Sequence, residues 1–140
     1  MSIAVYPALL FTVALLVTTA YFLMGGLPLL VLDHDTALDA RFIRGFFNLY
    51  YKAAFVAAIG AALSFTALGY VSFAGGAAAL ALTVIVIRRR LLSVMDQLGA
   101  KIQTSGASAI RKFRQVHSVA LLVNVLQLVL LVWMLTQFSF

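Results

Sequence analysis

Residues 4–32 carry no charged side chain. An apolar run of that length exceeds the roughly 20 residues that a helix needs to cross the hydrocarbon core of a bilayer. The run recurs. Charge-poor apolar segments are expected as spans at about 4–32, 46–70, 73–90 and 117–136, so the chain reads as an all-α, four-helix transmembrane bundle over residues 1–140. Composition agrees: 64% of residues are hydrophobic and 10% charged, against about a quarter charged in soluble domains. Four spans use up the 140 residues, so no separate soluble domain is expected.

The first run is too long for a signal-peptide core, and no Lys or Arg precedes it, so it is expected to stay in place as a helix. Gly25, Gly26 and Pro28 near its inner end should bend or loosen it. Between the second and third runs only a few residues around Gly69 intervene, a tight helical hairpin.

Charge sets the expected orientation. All ten basic residues (Arg41, Arg44, Lys52, Arg88, Arg89, Arg90, Lys101, Arg111, Lys112 and Arg114) sit in or beside the first and third loops. By the positive-inside rule those loops face the cytoplasm and both termini face out, as in a bacterial inner-membrane protein. The net charge of +6 flanks apolar spans, so anionic lipid headgroups are its expected partner, and nucleic acid is not.

The third loop, 91–116, is long and basic but patterned. Leu91, Met95, Leu98 and Ile102 fall at helical spacing, with Ser93, Asp96, Gln97 and Lys101 opposite them. The pattern predicts an amphipathic helix that lies on the inner membrane surface or extends the third span. Thr104, Ser105 and Gly106 should break it, with Ser108 as N-cap of the helix that leads into the fourth span.

The second and third spans are rich in small residues. Ala53, Ala57 and Ala61 repeat every four residues, as do Ala54, Ala58 and Ala62; Gly75, Gly76, Ala77, Ala78 and Ala79 open the third span. Such faces let membrane helices approach closely, either within one bundle or against a second copy or a larger membrane complex.

Polar residues inside spans are costly and mark where function is to be sought. On the second span Arg44, Asn48, Tyr51 and Lys52 share an arc of about 100° at 100° per residue. On the fourth, His117 and Asn124 lie seven apart and nearly eclipsed, with Gln127 beside them. Two such stripes reaching similar depth would meet in the cytoplasmic half of the bundle. They form a pocket in which Arg44 or Lys52 holds an anion, amides fix a carbonyl or phenol, and His117 moves a proton. A quinone, phenol or lipid is the class of molecule that suits it. The plainer reading is that Asn48 and Asn124 satisfy each other as interhelical glue while Arg44 reaches for the headgroups.

Asp33, His34 and Asp35 form a second cluster, a weak metal candidate whose simpler role is a solvated helix end. Two histidines, one of them in a loop, make haem a poor expectation. No cofactor is predicted. The absence of cysteine excludes thiol relays and Cys-ligated metals. No phosphate-binding Gly-rich loop, His-Glu-x-x-His or Gly-x-Ser-x-Gly motif occurs.

The stretch Phe46-Phe47-Asn48-Leu49-Tyr50-Tyr51 resembles the Leu-Phe-Pro-x-Tyr-Phe element of the transmembrane-protein-205-like family of small four-helix membrane proteins. Phe113-Arg114-Gln115-Val116-His117, followed by Leu122 and Asn124, is similar to that family's Phe-x-x-x-His…Leu-x-Asn element. The resemblance implies a four-helix fold with Tyr51, His117 and Asn124 at family-like positions. A fainter likeness links Arg41-x-x-Arg44-Gly45-x-x-Asn48-x-x-Tyr51 to the membrane-associated eicosanoid and glutathione enzymes, with Tyr51 in place of their acid.

With catalytic motifs missing, the leading expectation is a non-enzymatic accessory or interaction protein in a larger membrane complex or a homo-oligomer. A binding or catalytic module for an amphiphilic small molecule comes next. A small transporter is third.

Overall fold

The computed structural model describes residues 3–137; the outermost residues of both tails, which the sequence places on the outer side, lie outside the described residues. Four helices account for nearly all of it: α1 (Val5–Leu29), α2 (Ala37–Ala67), α3 (Val71–Ser105) and α4 (Ala107–Thr136). Each is long and apolar enough to cross a membrane.

Short connections make each helix antiparallel to the one before it. α2 packs along α1 and α3, and α4 closes the ring against α3 and α1. Thr36 caps α2 by accepting the Asp39 N–H at 3.1 Å, and Asp39 sits where the helix dipole favours an acid. The α3–α4 connection is Gly106 alone, at φ 53, in the left-handed region that glycine enters at little cost.

The expected long loop at 91–116 is instead helix on both sides of Gly106. Of the two readings of its amphipathic pattern, the structure takes extension of the third span. Met95 and Ile102 are buried and Leu91 and Leu98 half-buried within the bundle, and Gly99 lets α3 approach Ala40 of α2 closely. Ser108 is not a cap: α4 starts at Ala107 with Gly106 as N-cap and no side-chain bond. The second helix likewise begins at Ala37, earlier than its apolar run. At 1.5 Å per residue α3 is about 52 Å long, longer than a hydrocarbon core of about 30 Å. Its basic half therefore projects beyond the apolar slab together with the starts of α2 and α4.

Gly25 and Gly26 do not break α1, which runs unbroken to Leu29 with Pro28 in its last turn. They are sites of close packing, where an added methyl would meet Phe46 and Leu121. Gly60 does the same for Phe11. The α2 alanines serve the bundle itself: Ala54, Ala57, Ala58 and Ala61 are all buried. At the start of α3, by contrast, Ala77 is buried but Gly75, Gly76, Ala78 and Ala79 face outward.

The outer surface is a belt of Leu10, Val13, Val17, Val56, Leu63, Leu82, Val86, Leu122, Leu126 and Val129. In water so much exposed apolar surface would aggregate; in lipid it is the expected exterior. Tyr6, Tyr70 and Trp133, at the end away from the basic residues, are exposed where an interfacial aromatic girdle belongs.

Candidate functional site in the bundle interior

The interior is polar along much of its length. α1 turns Thr12, Thr19 and Gly26 inward, one every seven residues, and α4 answers with His117 and Asn124 at the same spacing and Gln127 one turn beyond. Between them α2 inserts the rings of Phe47, Tyr50 and Tyr51, each at most 1% exposed.

Thr12 and Thr19 donate their hydroxyl protons to the Ala8 and Leu15 carbonyls at 2.7 and 2.8 Å. Having spent its only proton, Thr19 Oγ1 can only accept from its other neighbours. Tyr50 Oη and Gln127 Nε2 both lie 3.5 Å from it, long contacts that tie α1, α2 and α4 together weakly.

One layer nearer the basic end the accounting fails. Tyr51 Oη and both side-chain polar atoms of Asn124 are buried without a hydrogen-bond partner. Both residues are at most 1% exposed. An unsatisfied polar group in such surroundings costs on the order of 1–3 kcal/mol, and bilayer hydrocarbon offers no water to relieve it.

Nearer the basic end still, two imidazoles meet. Nε2 of His34 lies 3.2 Å from Nδ1 of His117, and both residues are 0% exposed. The rings sit among Phe113, 5.8 Å from His34, and Phe47, 5.4 Å from His117. His34 Nδ1 donates to the Leu32 carbonyl. His117 Nε2 has no hydrogen-bond partner. His34 adopts φ 57, among the described residues the sole non-glycine with positive φ. That backbone aims its ring inward while Asp33 and Asp35 stay exposed.

The seven residues singled out from the sequence thus divide. Tyr51, His117, Asn124 and Gln127 are all buried in the bundle interior. Arg44 and Asn48 lie on the α2–α3 seam, paired with residues of α3. Arg44 forms an ion pair with Asp96, its Nη2 at 2.8 Å from Oδ2. Arg88 donates through Nε and Nη2 to Asn48 Oδ1 at 3.0 and 2.9 Å. Asn48 therefore does not satisfy Asn124, because Arg88 occupies it and the two amides face different helix seams. Lys52 is exposed. Of that arc only the Tyr51 edge is buried.

His34 is a correction too. It is fully buried rather than part of a solvated helix end, and the Asp33–His34–Asp35 cluster does not gather as a metal site, since its acids point away from the buried ring. No group of three or more His, Cys, Asp or Glu converges among the described residues. Thr19, Tyr50 and Gly26 were missed as well, although the seven-residue spacing of Thr12, Thr19 and Gly26 was readable beside that of His117 and Asn124.

A second feature borders this interior. Between α3 and α4, toward the end away from the basic residues, an apolar groove of about 590 Å³ opens to the lipid-facing surface. Gly76, Ala79 and Thr83 form one wall, Leu126, Leu130 and Trp133 the other, and Gln127 lines it.

No family model, curated protein or solved structure matches this chain.

Proposed function

We propose that this protein is a membrane-embedded binding module for an amphiphilic small molecule, a quinone or phenol with an apolar tail. The single observation that carries the reading is the set of orphaned polar atoms on Tyr51 and Asn124. A head group bearing carbonyl or phenol oxygens supplies the missing partners: Tyr51 Oη and Asn124 Nδ2 donate to oxygen, and Asn124 Oδ1 accepts from a phenol. The groove bordered by Gln127, one helical turn from Asn124, is a lipid-accessible berth for the tail. Arg44 and Lys52 have no part in this site, which lies deeper than the cytoplasmic-side pocket read from the sequence. The likeness of Tyr51, His117 and Asn124 to the transmembrane-protein-205-like elements is consistent with a distant relationship. The basic end faces the cytoplasm of a bacterial inner membrane by the positive-inside rule.

Trp133 is the chain's one tryptophan and lines the groove, so it reports occupancy. Titration with a short-chain quinone should quench its emission saturably, and Tyr51→Phe and Asn124→Leu should each weaken the apparent affinity about tenfold, the equivalent of one hydrogen bond at 1.4 kcal/mol. Non-saturating quenching, identical in the variants, would defeat the reading.

A second reading, an accessory subunit or self-associating protein, draws on the outward Gly75, Gly76, Ala78 and Ala79. Small residues on a lipid-facing surface permit close helix approach. Ala78→Leu should then release a co-extracted partner or dissociate an oligomer, whereas an unchanged assembly size would dismiss it.

A further inference from the structure

We propose that the seam between α3 and α4 at the basic end of the bundle holds one anionic glycerophospholipid, its phosphate gripped by Arg90 of α3 and Lys112 of α4. The site is separate from the Tyr51 and Asn124 layer and does not depend on it.

At this end the two helices leave a groove of about 720 Å³ on the outer surface. Val94 and Leu98 line it from α3, Val116 and Val119 from α4, and Arg90, Lys112 and Gln115 are set among them. Val94 and Val119 are exposed. Position along the helix separates this groove from ordinary lipid-facing surface. From Val71 at the far end of α3, Arg90 lies about 29 Å along the axis, where a hydrocarbon core of about 30 Å ends. Val94 and Leu98 are about 6 and 12 Å further on, level with headgroups rather than with acyl chains. Apolar surface at that level is left uncovered by the surrounding bilayer. A lipid drawn up into the groove covers it with its glycerol backbone and the first methylenes of its chains. The deep end leaves room for the rest of a chain: Ile87 and Val123 also line the apolar groove bordered by Gln127, so the two grooves form one furrow.

Charge decides which lipid. Arg44 is held by Asp96, Arg88 by Asn48 and Arg114 by the Leu30 carbonyl. No side-chain hydrogen bond or ion pair joins Arg90 or Lys112 to another described residue. No acid lines the groove. α3 and α4 together contain one acid, Asp96, and Arg44 neutralises it on the α2–α3 seam. Two cations from two helices beside one apolar groove repel each other until an anion joins them. A phosphate does so, because the guanidinium offers paired N–H donors and the ammonium a compact charge. Gln115 adds an amide donor for an ester carbonyl. A zwitterionic lipid also carries phosphate, but its ammonium group would lie beside two cations with no acid to receive it. An anionic head is therefore preferred.

The test is native mass spectrometry of the full chain in detergent, with palmitoyl-oleoyl phosphatidylglycerol, or phosphatidylcholine of the same chains, added as the probe. The expected result is one phosphatidylglycerol per chain, held at least about tenfold more tightly than phosphatidylcholine. Arg90→Gln and Lys112→Gln should each weaken it about fivefold. Arg89→Gln, an equal loss of charge at an exposed residue outside the groove, should leave it unchanged. Val119→Trp, which fills the groove and keeps every charge, should weaken it as well. Equal binding of the two lipids by the wild type, or equal losses in Arg89→Gln and Arg90→Gln, would overturn the site and leave only diffuse surface charge. The comparison of the two lipids needs no variant, so it decides the matter even if a variant fails to fold.

Discussion

His34 and His117, 83 residues apart in sequence, touch through ring nitrogens 3.2 Å apart in a site closed to solvent. The contact ties the turn after α1 to α4 at the basic end of the bundle. Replacing His117 by alanine leaves a cavity beside Phe47 and strands the His34 lone pair. The expected cost is about 2–4 kcal/mol, read as a lowered unfolding midpoint in detergent. A change below about 0.5 kcal/mol would mean that the pair does not hold the turn in place.

Tyr51→Phe separates a ligand site from idle polarity. The hydroxyl has no partner in the protein, so its removal should stabilise the ligand-free bundle by about 1 kcal/mol while weakening ligand binding. Thermal unfolding with and without added quinone measures both. Loss of stability without ligand would show that the hydroxyl is satisfied inside the protein.

The interior was only half legible in the sequence. Helix existence was readable because lipid imposes long uninterrupted apolar runs, and the amphipathic pattern of 91–102 gave both helix and face. What misled was the equation of polar sequence with loop. The stretches 37–45 and 91–116 are charged yet helical, apart from Gly106. A histidine between two aspartates reads as a polar turn; only tertiary packing, through a left-handed backbone, turns the His34 ring inward. The stripe on α2 failed for a different reason. Arg44 and Asn48 found partners in Asp96 and Arg88, and no periodicity on α2 alone reveals which seam a polar residue faces.

The ion pair of Arg44 with Asp96 joins α2 to α3 at a wet surface, the two side chains being 37% and 53% exposed. A double-mutant cycle with Arg44→Ala and Asp96→Ala should return a coupling of about 0–1 kcal/mol, smaller still at high salt. A coupling of several kcal/mol would place the pair in a far drier setting.

Gly60 faces the ring of Phe11. Gly60→Ala should push α1 and α2 apart and cost about 1–3 kcal/mol, whereas Gly45→Ala, with nothing within 4 Å of the added Cβ, should cost less than half as much. Equal effects would point to helix propensity rather than packing.

Because the chain has no native cysteine, single cysteines report its orientation cleanly. Thr104→Cys, beside the α3–α4 turn, should react with an impermeant thiol reagent only after inner-membrane vesicles are inverted, and Ala67→Cys only before. The opposite pattern would reverse the proposed topology.

The most direct measurement of the central claim is native mass spectrometry of protein released gently from its own membrane. A stoichiometric adduct of quinone or phenol mass on the wild type, absent from Asn124→Leu, is the predicted result. A bare chain, or an adduct equally abundant in both proteins, would contradict a ligand site built on Tyr51 and Asn124.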